Sequence, residues 1–298
     1  MNLRIVVASA SFGALLLGCA SQPTNNSAED SAANEQSQSA ADSAPTQAPT
    51  GTSPKPISLA EKLASEARPL SDRSRDIGRN PVDVIDFLGI EPGMQVLDML
   101  AYSGYYTEVL SHAVGPTGQV LCQNPAAVLE LSKGANERAL NQRLSNNRLP
   151  NVTRVNREFD NLGIPPASLD AAITALNLHD LYHVSPDHAV EVLTSIYAIL
   201  KPGGVFGVID HIGVPGRDNV TLHRMTRAQA LEVASAAGFE FVEESDLLAN
   251  PYDDHSLFVF GPELRGITDR FLLKLVRPAA SLAVLTDSAA PVEPGETP

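Results

Sequence analysis

Short apolar runs alternate with amphipathic ones along most of this chain, and glycine or proline closes nearly every segment. Val205 to Asp210 is apolar on both faces of a period-two pattern, as a strand covered from both sides has to be. Lys201-Pro202-Gly203-Gly204 stands just before it and ends the helix expected over Asp187 to Leu200. Gln95 to Met99, Gln119 to Cys122, Val152 to Val155 and Asp170 to Leu176 read as further strands. Between them, Pro81 to Leu88, Gly104 to Ala113 and Ala126 to Leu144 read as helices. Asn80 is placed to cap the first of these, Pro81 suits its first turn, and Gly89 stops it. Thr226 and Gln229 form a capping-box pattern that opens a helix ending at Gly238. Phe239 to Val242 and Arg270 to Val276 complete a set of seven strands. Strands linked through helices lie parallel, so the expected fold is α/β, a doubly wound, Rossmann-like and mostly parallel seven-stranded sheet. A ligand of such a sheet sits at the carboxyl ends of the strands, where their order reverses.

The two ends have a different character. Asn2-Leu3-Arg4 precedes an apolar run of 13 residues, Ile5 to Leu17, shorter than the roughly 20 that a spanning helix needs. Leu16-Leu17-Gly18-Cys19 resembles a bacterial lipobox, which implies a signal peptide over 1–18 and lipidation of Cys19. Ala20 lacks the aspartate that retains such lipoproteins at the inner membrane. The expected place is therefore the cell envelope, lipid-anchored on the periplasmic face of the outer membrane. Residues 19–56 are rich in Ser, Ala, Gln, Asn, Thr and Pro, a composition that cannot offset ordering entropy and reads as a tether. The tail 278–298 is similar, which leaves 57–277 as one folded domain. Cys122, the second of two cysteines, sits in an apolar run and is expected to be a buried thiol. A formal charge of −14 argues against nucleic acid and against broad adhesion to anionic lipid, so contact with the membrane is expected through the lipid alone.

Several motifs fall in one order along the domain. Val96-Leu97-Asp98-Met99-Leu100-Ala101-Tyr102-Ser103-Gly104-Tyr105-Tyr106-Thr107-Glu108 resembles the first strand, glycine loop and helix of class I S-adenosylmethionine-dependent methyltransferases. Leu169-Asp170-Ala171 and Lys201-Pro202-Gly203-Gly204 resemble that superfamily's openings of strands four and five. Asn177-Leu178-His179-Asp180-Leu181, Val208-Ile209-Asp210-His211 and Asp246-Leu247-Leu248-Ala249-Asn250-Pro251 are similar to a secreted branch of it. The resemblance covers residues 76–277 and implies a sheet of the class I methyltransferase type with S-adenosylmethionine as cofactor. Carried over residue by residue, it assigns cofactor binding to Asp98, Ala101, Ser103, Gly104, Tyr105, Asn124, Glu158, Phe159 and Asn177. The chain departs from the pattern at Leu100 and Tyr102, where the family has its first two glycines, and at Asn124, where it has an acid that accepts from the ribose.

His179, Asp180 and His211 follow strands four and five, the edge where chemistry is expected, and a general base is drawn from these residues or Asp210. His179 and His183 would share a helix face, and His188 or His211 is the nearest candidate for a third metal ligand. The local sequence is not the His-Glu-x-x-His signature, and no metal site is expected. Asp253-Asp254-His255 reads as a solvated turn. The function implied is methyl transfer to a small-molecule or surface-bound acceptor. The alternative is an exported binding module with the same fold and no catalytic activity.

Overall fold

The computed structural model describes residues 57–279. The signal segment, Cys19, the tether and residues 280–298 lie outside the described residues. Seven strands form one sheet: β1 Gln95–Met99, β2 Gln119–Gln123, β3 Val152–Val155, β4 Leu169–Ala175, β5 Leu200–His211, β6 Glu240–Ser245 and β7 Arg270–Val276. Their order is β3-β2-β1-β4-β5-β7-β6, and all pairs are parallel except those made by β7. The helices are α1 Leu59–Ala64, α2 Leu70–Arg79, α3 Pro81–Leu88, α4 Tyr105–Val114, α5 Ala126–Leu144, α6 Leu178–Val184, α7 Pro186–Ile199, α8 Asn219–Leu222 and α9 Arg227–Ala236. The order reverses between β1 and β4, so the expected ligand edge lies at the carboxyl ends of these two strands.

Period-two alternation divides the core into two layers. Leu97, Ala172, Phe206 and Val208 face one side and pack with Val192, Leu193 and Ile196 of α7 and Val233 of α9. Val96, Ala171, Ile173 and Ile209 face the other and pack with Val84, Ile85 and Leu88 of α3 and Val109 and Leu110 of α4. Each such aliphatic side chain contributes about 1.5–3 kcal/mol by burial. Gly207 is required by this packing, because a Cβ there would lie 2.5 Å from Leu88 Cδ1.

The structure corrects several local readings. β5 begins at Leu200, and residues 201–204 bulge out of the ladder, which shifts register between Leu169 and Ala171 of β4. That bulge bonds to Arg277 at the end of β7, through Gly203 N–H and the Gly204 carbonyl. α5 is broken at Leu131–Gly134, where the backbone leaves helical geometry. Asn80 makes no side-chain cap. It takes the left-handed conformation that ends α2 (φ 40°) and donates its amide to the Leu247 carbonyl at 2.8 Å. Asp253 is not solvated: Arg224 holds it in a bidentate pair at 2.9 and 3.0 Å with both side chains fully buried. Cys122 is buried as expected, and burial pushes its thiol up to about 12.

Candidate active site

The loop after β1 retains the backbone shape of a glycine loop without its glycines. Leu100 and Tyr102 take φ of 52° and 51°, and Gly104 takes 80° at the start of α4. Bonds from the end of β2 hold the first two residues there. Gln123 Oε1 accepts from Leu100 N–H at 3.0 Å, and Asn124 Oδ1 accepts from Tyr102 N–H at 2.8 Å. Asn124 also donates to the Tyr102 carbonyl at 3.2 Å and is fully buried. Its side chain is thus engaged with the backbone of the loop. Gln123 went unnoticed in the sequence, because nothing local marks it as a partner of a loop 23 residues upstream.

The other expected cofactor residues are spread along the same edge. Ala101 N–H donates to the Gln123 carbonyl at 3.0 Å, and the Ser103 carbonyl accepts from Arg143 Nε at 2.8 Å. Gly104 has no room for a side chain, since a Cβ would meet Leu140 Cδ1 at 2.9 Å. Asp98 is buried and accepts from the Thr107 hydroxyl at 2.5 Å. Burial outweighs that bond and raises its carboxyl to about 7. The Tyr105 ring is buried beneath Arg75 and Arg79, and its hydroxyl donates to Asp76 at 2.6 Å. Asn177 reaches across from β4 and donates to the Leu100 carbonyl at 3.3 Å. Glu158 is exposed after β3, and Phe159 packs against the core beside it.

At the ends of β4 and β5 the histidines gather. His179 is buried, and Asp210 accepts from its backbone N–H at 2.8 Å and pairs with its Nδ1 at 2.7 Å. Burial works against a charged imidazole at this position, but the Asp210 carboxylate outweighs it and raises His179. Asp180, half-exposed, places Oδ1 3.3 Å from His179 Nε2 and 3.4 Å from His223 Nδ1. His211 has its Nδ1 engaged by Thr268 at 2.7 Å, and burial followed by the charge of His179 holds its pKa well below the usual range. His211 thus flanks the cluster, its ring centroid 5.8 Å from that of His179. His183 is 5.7 Å from His179 on the same helix. The sequence did not point to His223, which arrives from a loop 43 residues beyond Asp180. The rings of Phe258 and Phe260 stand 5.5 Å from His223, and both are partly exposed. Leu176, just before the cluster, also has positive φ (66°).

No family model matches the chain. A C-methyltransferase of ubiquinone and menaquinone biosynthesis, UbiE of Pseudomonas fluorescens, is 32% identical over 127 residues, covering 42% of this chain and 45% of that protein. UbiE of Ectopseudomonas mendocina is 27% identical over 169 residues, 54% of this chain and 61% of its own. The chain thus matches about half the length of these relatives. Among solved structures, an S-adenosylmethionine-dependent methyltransferase from Aquifex aeolicus superposes with a TM-score of 0.51 at 17% identity, covering 74% of this chain and 100% of its own. The cyclase SpnF superposes equally well, with a TM-score of 0.51 at 17% identity over 68% of this chain and 81% of its own. The chain is methyltransferase-like, with methyltransferases among its sequence relatives and the fold of an S-adenosylmethionine-dependent methyltransferase.

Proposed function

We propose that the chain binds S-adenosylmethionine and transfers its methyl group to a small acceptor with an apolar or aromatic face. The observation that carries this reading is the loop 100–104. It keeps left-handed backbone at Leu100, Tyr102 and Gly104, beside the point where strand order reverses, although two of those residues are not glycine. A conformation that disfavours its own side chains is retained where the backbone itself has to meet a ligand. Gly104 gives α4 no side-chain cap, and a helix N-terminus at this edge favours an anionic group such as the cofactor's carboxylate. Glu158 is an exposed carboxylate just beyond β3 and the one we assign to the nucleoside, because Asn124 is engaged with the loop. When bound, the cofactor supplies an electrophilic methyl group on a sulfonium.

The protein's own part is positioning. His179, Asp180 and His223 face the acceptor's reacting atom, Asp210 holds the His179 ring in orientation, and Phe258 and Phe260 offer aromatic surface beside them. The sequence relatives are named for quinone biosynthesis, and an acceptor with an aromatic face accords with that chemistry.

Calorimetric titration of the chain with S-adenosylmethionine and with its demethylated product tests the reading. Both should bind, Glu158→Ala should weaken both about tenfold or more, and Asp180→Asn should leave both heats intact. With an acceptor in hand, Asp180→Asn should lower turnover at least about a hundredfold, the scale of a misplaced reacting group. Absence of heat with either compound would remove methyl transfer and leave a binding module on this fold.

A further inference from the structure

His179, Asp180 and His223 form a group that hydrogen bonding does not explain. His179 Nε2 and His223 Nδ1 are both buried atoms without a hydrogen-bond partner. Both nonetheless converge on one oxygen, Asp180 Oδ1, at 3.3 and 3.4 Å, and the three atoms lie within 4.8 Å of one another. Those separations exceed the usual 2.7–3.2 Å of a hydrogen bond from ring nitrogen to oxygen. They match the edge of a tetrahedron instead: ligands about 2.0–2.1 Å from a zinc ion stand roughly 3.3–3.4 Å apart.

The surroundings fix the chemistry of the donors. Asp210 is fully buried and lies 2.7 Å from His179 Nδ1. A proton on Nδ1 satisfies that carboxylate and leaves the Nε2 lone pair pointing into the group. A carboxylate behind a ligating histidine is the usual support of a metal site. His223 is held in left-handed backbone (φ 54°) at the end of α8, with its ring against Phe258 and Phe260.

We propose that His179 Nε2, His223 Nδ1 and an Asp180 carboxylate oxygen bind one divalent first-row transition ion, with zinc the best match to the donor set. Two imidazoles and one carboxylate leave a fourth position open, the arrangement of catalytic rather than structural zinc. The site is argued from donor geometry and does not depend on methyl transfer. Only its use rests on that reading: the open position would take the oxygen, nitrogen or sulfur of the acceptor, whose proton passes to solvent, and its lone pair would bond the methyl carbon as the carbon–sulfonium bond breaks and its electron pair leaves with the thioether product.

The test uses the full chain, stripped with a chelator and titrated with Zn²⁺ by calorimetry and with Co²⁺ by visible absorption. One ion should bind per chain, and Co²⁺ should show the d–d bands of a tetrahedral nitrogen and oxygen site. His223→Ala and Asp180→Asn, both on partly exposed side chains, should each weaken binding a hundredfold or more. Asp210→Asn, a positioning change, should cost about 10–100-fold. His188→Ala should change nothing. Failure of the wild type to bind stoichiometrically overturns the proposal, as does undiminished binding by folded His223→Ala and Asp180→Asn. Zinc binding without any heat from S-adenosylmethionine keeps the metal site and removes methyl transfer; the opposite pattern does the reverse.

Discussion

Leu100 and Tyr102 each carry the cost of left-handed backbone, about 1–2 kcal/mol for a residue with a Cβ. The Gln123 and Asn124 side chains offset it by bonding the loop's backbone, and Leu100 adds a buried side chain. Asn124→Asp therefore has a different outcome from the one its place in the motif suggests. The carboxylate cannot donate to the Tyr102 carbonyl, and it brings a charge into a fully buried position. Chemical denaturation should show a loss of about 1–3 kcal/mol with no gain in cofactor affinity. Leu100→Gly relieves strain but removes a core side chain, and unfolding experiments should show a net loss of about 1–3 kcal/mol. Asp98 predicts a pH effect. Its folded pKa of about 7 lies above the unfolded value near 3.9, so its contribution to stability is complete below that value and is lost as pH rises towards 7. Asp98→Asn should flatten the decline in unfolding free energy between about pH 4 and 7.

Between elements, a buried ion network joins α4 to α5 and to the N-terminal helices. Glu108 of α4 is fully buried and pairs with Arg143 of α5 and with Arg148, while Arg143 reaches Asp72 of α2 at 2.6 Å. Burial alone would raise the Glu108 carboxyl. The approach of His112 to 3.9 Å, the hydrogen bonds from Arg148 and the charges of Arg143 and Arg148 outweigh it and hold the pKa far below the usual range. Its contribution is thus present above the unfolded value, near 4.3, and is lost as pH falls below that. Glu108→Gln should cost about 3–5 kcal/mol near neutrality, because Arg143 and Arg148 lose the buried carboxylate they share, and it should remove part of the acid-limb slope in a pH series of urea melts. None of this was visible in the sequence, where Glu108 is one charge in an apolar helix and its partners lie 35 and 40 residues away. α2 was missed for a related reason: it is dominated by Asp and Arg, with exposed Leu70 and Ile77 as its large apolar residues, so no apolar stripe announces it. The strands were legible because burial on both faces forces near-continuous apolar runs. The sheet edge could be foreseen from topology and so could His179, Asp180 and His211, whereas His223 and Gln123 join the site through long-range folding that no periodicity encodes.

For the whole molecule, we propose delivery to the cell envelope by a lipid on Cys19. A formal charge of −14 gives the rest of the chain little attraction for anionic lipid, so the anchor should be necessary for membrane association. Cys19→Ala should shift the protein to the soluble fraction or leave its signal segment uncut, measured by fractionation and intact mass; unchanged behaviour on both counts rejects the anchor. The clamp from β2 onto the β1 loop also bears on how such proteins diverge. Glycine at positions 100 and 102 would lower the cost of the left-handed loop and with it the need for the Gln123 and Asn124 amides. Substitutions at these four positions should then travel together through descent, the amides standing where the glycines are lost.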